Sequence, residues 1–138
     1  MSNGVSKSMT PDERLTEIFD RGLREGVDFL TPTERDLYLI QDFIIEYEMN
    51  GLSGYFYNRL PDLLAITSAA QAMQRYGLTE LSQILSEAAE LFRGYADPEP
   101  PTTWRCVLQL YDPGDRLSQL SDRVVALRDY GLADSTIR

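Results

Sequence analysis

The chain has 138 residues, 43% of them hydrophobic, and 22 acids against 13 bases give it a net charge of −9. That length suits one domain with an ordinary core, while the charge disfavours direct nucleic-acid binding and favours a basic partner. With no histidine and one cysteine, Ser-His-Asp and Cys-His catalysis, imidazole metal ligands and an internal disulfide are all removed.

The first ten residues are small and polar, with no apolar stretch of the secretory kind, and read as a flexible arm of a cytoplasmic protein. Then "TPDE" offers Thr10 as N-cap, Pro11 at the first helical position and Glu13 as the return half of a capping box. Leu15, Ile18, Phe19 and Leu23 follow at helical spacing, and Gly22 or Gly26 ends the helix. "TPTE" repeats the device with Thr31, Pro32 and Glu34. The helix it opens has a wide apolar face of Leu37, Ile40, Ile44 and Tyr47 with Leu39 and Phe43 beside it, which predicts a central element. Asn50 and Gly51 stop it, and Ser53 starts a short helix carrying Tyr55, Phe56 and Tyr57. Three consecutive aromatics cannot share a helix face, so Phe56 is expected in the core and at least one tyrosine at the surface.

Pro61 and Asp62 begin the next helix, with Leu63, Ile66, Ala70 and Met73 inward and "YGL" as its end. Ala69, Ala70 and Ala72 allow close helix approach. Thr79 is the expected cap of a helix that carries Leu81, Ile84, Leu85, Ala88, Leu91 and Phe92 and stops at Gly94. The proline-rich "ADPEPPTT" is a loop. "WRCVLQLY" fits either a strand or a short helix, and the helix is favoured because no partner strand is visible. Cys106 within it is expected to be a buried, reduced thiol. Asp112 and Pro113 are expected to start a last helix that ends at Gly131, with residues 132–138 as a tail. The fold class is therefore all-α: one domain of about six helices over residues 11–131.

The segment "NGLSGYFYN" is similar to a signature of the DNA-mimic-protein-like domain family, an Asn-Gly-Gly-Phe start followed by Gln, aromatics and Asn. Asn50 and Gly51 stand within that start, Leu52 and Gly54 replace the phenylalanine and glutamine, and Tyr55, Phe56 and Asn58 match. "QAMQRYGLTELSQILSEAAELFRG" resembles the family's helix–break–helix, and "LQLYDPGDRLSQL" its acidic, aromatic C-terminal part. The resemblance spans residues 34–130. It implies an acidic helical protein that forms a homodimer and occupies the DNA-binding surface of a helix-turn-helix regulator.

Acids concentrate in two blocks, residues 28–62 and 79–115, each with seven acids and two arginines. Asp42 and Glu46 share one helix face, and Glu80, Glu87 and Glu90 line another; like charges so placed oppose the helix slightly and are the candidate docking acids. The competing reading is that these are solvated faces, since many other acids stand where helix N-termini favour them. Glu46 and Glu48 point apart on a helix, which argues against paired acid–base work. The expectation is a non-enzymatic, cofactor-free and metal-free interaction module whose partner is a basic protein, with no membrane contact. The alternatives are an immunity-type inhibitor of a basic nuclease toxin, and a small-ligand domain using Tyr55, Tyr57, Asn58 and Arg59.

Overall fold

The computed structural model describes residues 10–97, 99 and 101–131, so the expected tail over 132–138 and all of the expected arm except Thr10 lie outside them. The described chain is all-α: α1 (Pro11–Glu25), α2 (Pro32–Arg59), α3 (Leu63–Arg75), α4 (Thr79–Leu91), α5 (Trp104–Tyr111) and α6 (Arg116–Ala126). Short 3-10 turns lie at Val27–Phe29 and Arg128–Gly131. None of these helices is long and apolar enough to cross a membrane.

Both capping boxes form. Thr10 Oγ1 accepts the Glu13 N–H at 3.1 Å and the Glu13 carboxylate accepts the Thr10 N–H at 3.0 Å; Thr31 and Glu34 repeat this at 3.2 and 3.0 Å. Gly26, at φ 101°, ends α1. Gly22 stays inside the helix for a packing reason: an added Cβ would lie 2.5 Å from the Tyr38 ring, which stacks on Phe19 at 4.9 Å. A small cluster of Leu15, Ile18, Leu30 and Leu37 seats α1 on the start of α2.

Gly51 divides α2 with φ 73° and ψ −179°, a conformation almost confined to glycine. Two helical arms meet there, so one helix stops at Gly51 as expected and a second, carrying Ser53 to Arg59, follows after a sharp corner. Asp42 and Arg59 would be about 26 Å apart along a straight helix; instead they are hydrogen bonded, 17 residues apart in sequence. The corner lays the second arm of α2 back over the first. Phe43 then meets Tyr55 edge-on at 4.9 Å, Tyr55 meets Phe56 at 5.7 Å, and Phe56 stacks on Phe92 of α4 at 5.1 Å. The main core grows around this run of rings, with Ile66, Met73, Leu81, Ile84 and Leu120 from α3, α4 and α6.

At "YGL", the Leu78 N–H reaches the Met73 carbonyl at 2.9 Å and Gly77 takes φ 79°, so a glycine cap with a buried leucine links α3 to α4. The buried alanines of α3 let α4 approach closely enough for Ser82 Oγ to donate to the Ala70 carbonyl at 2.7 Å.

Four local expectations differ from the structure. Leu78, not Thr79, occupies the N-cap position of α4 and gives no side-chain cap. α6 begins at Arg116 because the Pro113–Gly114 turn intervenes, yet Asp112 still caps it from outside, accepting the Arg116 and Leu117 N–H groups at 2.7 and 3.0 Å. The same helix ends at Ala126 and not at Gly131, since Leu127 is extended and Asp129 and Tyr130 have positive φ. α5 is a helix, but Cys106 is exposed. Trp104, Leu108 and Tyr111 set its inward stripe, and a residue two positions from Trp104 points away.

An added Cβ at Gly51 meets nothing within 4 Å, so Gly51→Ala tests the backbone corner without a clash. The expected loss is about 1–3 kcal/mol. It is read as a lower urea midpoint at unchanged m-value.

Candidate functional site

The candidate docking acids divide by what they touch. Asp42 forms a two-pronged ion pair with Arg59, its Oδ2 accepting the Nε–H at 2.9 Å. Burial works against the Arg59 charge, but the Asp42 hydrogen bonds outweigh it and its pKa is raised. Glu46 Oε1 accepts the side-chain amides of Asn58 at 2.8 Å and Asn50 at 3.2 Å, and its Oε2 lies 3.8 Å from Arg59. Asp42 and Glu46 are therefore turned onto the second arm of α2. Glu48 points elsewhere and accepts the Tyr130 hydroxyl at 2.7 Å.

The signature residues acquire physical roles in this corner. Gly51 makes the turn, while Asn50 and Asn58 brace it through Glu46. Tyr55 and Phe56 fill the core beneath, and Tyr57 is exposed. The Arg59 guanidinium carbon sits 5.7 Å from the Tyr55 ring centre. Burial raises the Tyr55 pKa well above the ordinary tyrosine value and keeps its hydroxyl neutral.

On α4, Glu87 faces α6 and accepts Arg116 and Arg123, each at 2.9 Å. Glu90 pairs with Arg93, just past the end of its helix, and both side chains are exposed. Glu80 is exposed and has no ion-pair partner among the described residues. The α4 acids thus do not present one uniform row. Seven arginines (21, 24, 59, 75, 93, 116 and 123) are held in ion pairs with acids of the same chain.

A different acidic surface remains. Asp115 at the N-cap of α6, and Ser118 and Asp122 within it, follow one another at spacings of three and four, and none of them contacts Glu87 as Arg116 and Arg123 do. Among the described residues neither Asp115 nor Asp122 enters an ion pair. They line a groove of about 300 Å³ between α6 and the α2 corner, with Asp112, Asn50 and Ser53. The sequence signal was this spacing. The acidic block ends at residue 115, which separates Asp115 from Asp122 in the sequence and hides that spacing. Asp20, Asp28, Asp97 and Glu99 are also exposed but lie on other parts of the surface.

Beside the groove, across Asn50 and Ser53, lies an open aromatic corner of about 560 Å³ lined by Asn50, Ser53, Tyr57, Asn58, Thr102 and Trp104. Trp104 Nε1 donates to Ser53 Oγ at 2.6 Å, and the indole stacks on Phe92. Tyr55 is absent from this corner because its ring faces the core. No group of three or more potential metal ligands occurs among the described residues.

The sequence model of one family, described as DMP19-like protein, matches residues 28–136. No curated protein and no solved structure gives a significant match.

Structural and free carboxylates should separate in stability measurements. Asp42→Asn is expected to cost about 1–3 kcal/mol by weakening a charged hydrogen-bond pair. Asp115→Asn and Asp122→Asn should each stay within about 0.5 kcal/mol, and asparagine tolerates the positive φ at position 115. Acid should act through the paired carboxylates. The Arg21 side chain and then the Thr31 backbone hold Glu34 at about 2, well below the ordinary 4.5 of a glutamate. Glu17 is lowered by Arg21, and Glu87 by Arg123 and Arg116. A carboxylate with a depressed folded pKa contributes stability above its unfolded pKa and loses it as pH falls through the folded value. The melting temperature should therefore drop as pH falls from 4.5 toward 2, and Glu34→Gln should flatten that limb.

Proposed function

The chain belongs to the DMP19-like protein family, and from that premise we propose that it is an acidic interaction module, not an enzyme, that docks on a basic DNA-binding protein. The observation that carries this reading is how the charges at α6 are engaged. Arg116 and Arg123 are turned to Glu87, while Asp115, just before the helix, and Asp122 line the groove beside the α2 corner with no ion-pair partner among the described residues. Carboxylates fixed on a rigid helix suit arginines that otherwise meet phosphates. A helix-turn-helix regulator in the cytoplasm is the partner class that the family resemblance favours.

In this reading the docking acids are Asp115 and Asp122, with exposed Glu80 as an outlying charge. Asp42 and Glu46 serve mainly to hold the α2 corner and Glu87 to join α4 to α6, because their partners are already inside the chain, while Glu90 is engaged only by exposed Arg93.

The test is capture from a lysate on the immobilised chain, with elution by duplex DNA or by salt. Raising salt from about 0.1 M to about 1 M shortens the screening length from about 10 Å to about 3 Å, so a charge-steered complex should dissociate. The expected eluate is a basic DNA-binding protein released by both, and lost when Asp115 and Asp122 are changed to asparagine. Capture that is indifferent to duplex DNA and to both substitutions sinks the proposal. A captured nuclease whose activity is blocked would replace it with the inhibitor reading.

A further inference from the structure

We propose that the aromatic corner between α2 and α5 receives an arginine side chain of the docked partner, an inference that rests on the acidic docking reading above. The corner is built for a flat cation with several N–H donors. Tyr57 and Trp104 meet nearly at right angles, 78°, with ring centres 5.7 Å apart. Trp104 is held in place by Ser53 and by Phe92, whose ring lies 5.8 Å away and inclined by 17°, so this wall is already organised.

The polar rim completes the chemistry. Asn50 and Asn58 both direct their side-chain nitrogen at Glu46 Oε1, and the two Oδ1 acceptors are thereby turned away from it. Among the described residues no donor meets either oxygen. No lysine or arginine lines the corner, so nothing there repels a cation or attracts an anion. Asn50 and Ser53 also line the groove of Asp112, Asp115 and Asp122, so the two spaces adjoin across these residues.

Aromatic faces, carboxamide acceptors and neighbouring carboxylates together fit a guanidinium better than the alternatives. Guanidinium is planar, weakly hydrated and stacks on rings while its edge donates hydrogen bonds. An ammonium keeps its water more tightly and cannot stack. A neutral ring would use the aromatic walls but leave the acidic field without a counterpart.

Trp104 is the only tryptophan and sits in the wall, so its fluorescence reports occupancy directly. The probes are N-acetyl-arginine amide, its lysine counterpart, octa-arginine and octa-lysine. Arginine amide should shift Trp104 emission saturably, and lysine amide should not. Octa-arginine should bind about fivefold more tightly than octa-lysine of equal charge. Calorimetry on Tyr57→Ala, a change at a side chain that is 41% exposed, should show that preference abolished with octa-lysine affinity unchanged. Equal binding of both peptides with Trp104 emission unmoved overturns the arginine site and leaves acidic docking standing. A Trp104 shift with arginine amide, but no binding of either peptide, retains the site and overturns the docking reading. No response to any probe overturns both.

Discussion

The reversal at Gly51 is the constraint on which both the core and the surface depend. It brings the second arm of α2 onto the first, so Tyr55 can meet Phe43 and Arg59 can meet Asp42. A bend of another size would carry Phe56 away from Phe92 and separate α2 from α4. The same bend exposes the outer edge of the corner, where Asn50, Ser53, Tyr57 and Asn58 stand together. The signature segment is therefore first a folding device. Its surface chemistry exists because the fold leaves one side of that device open.

Electrostatics follow from the same economy. The chain has one lysine and twelve arginines, and arginine can hold a carboxylate with two parallel hydrogen bonds. Arg59 on Asp42 and Arg75 on Asp36 do so between distant segments, and Arg21 ties α1 to the start of α2 through Glu34. With so much basic charge committed internally, the excess of acids is left to face solvent or a partner. Exposed ion pairs add little stability individually. Their larger effect here is to decide which carboxylates remain free.

Much of the helical outline was legible because its signals are local. A capping box needs only four consecutive residues, and the glycine cap at "YGL" only a few more, so both could be read directly. The division of aromatics was legible too: three successive positions must diverge, and Phe56 went inward while Tyr57 stayed out. What could not be read was any feature that depends on the angle at Gly51. Asp42 and Glu46 looked like an outward acidic pair because their partners lie 17 and 12 residues away across the turn. Glu87 looked free because its arginines belong to another helix. Asp112 and Pro113 mark the expected helix start, but the intervening turn displaces it to Arg116, and Asp112 caps from outside. The positive φ of Asp129 and Tyr130 has no local sequence cause that would have announced it.

These two kinds of carboxylate explain why acidity alone is a poor description of the surface. Long-range attraction depends on the net charge and acts before contact, so it accelerates encounter with many basic proteins and loses force as salt rises. Discrimination among those proteins requires something that works at contact. A rigid indole wall, two carboxamide oxygens and a groove of fixed carboxylates supply shape and hydrogen-bond direction, and these distinguish arginine from lysine where charge cannot. The α2 corner places both effects on adjoining surfaces: charge on the α6 side and geometry on the α5 side. A partner drawn in by the first is selected by the second, provided that an arginine projects from its basic surface at the spacing between groove and corner.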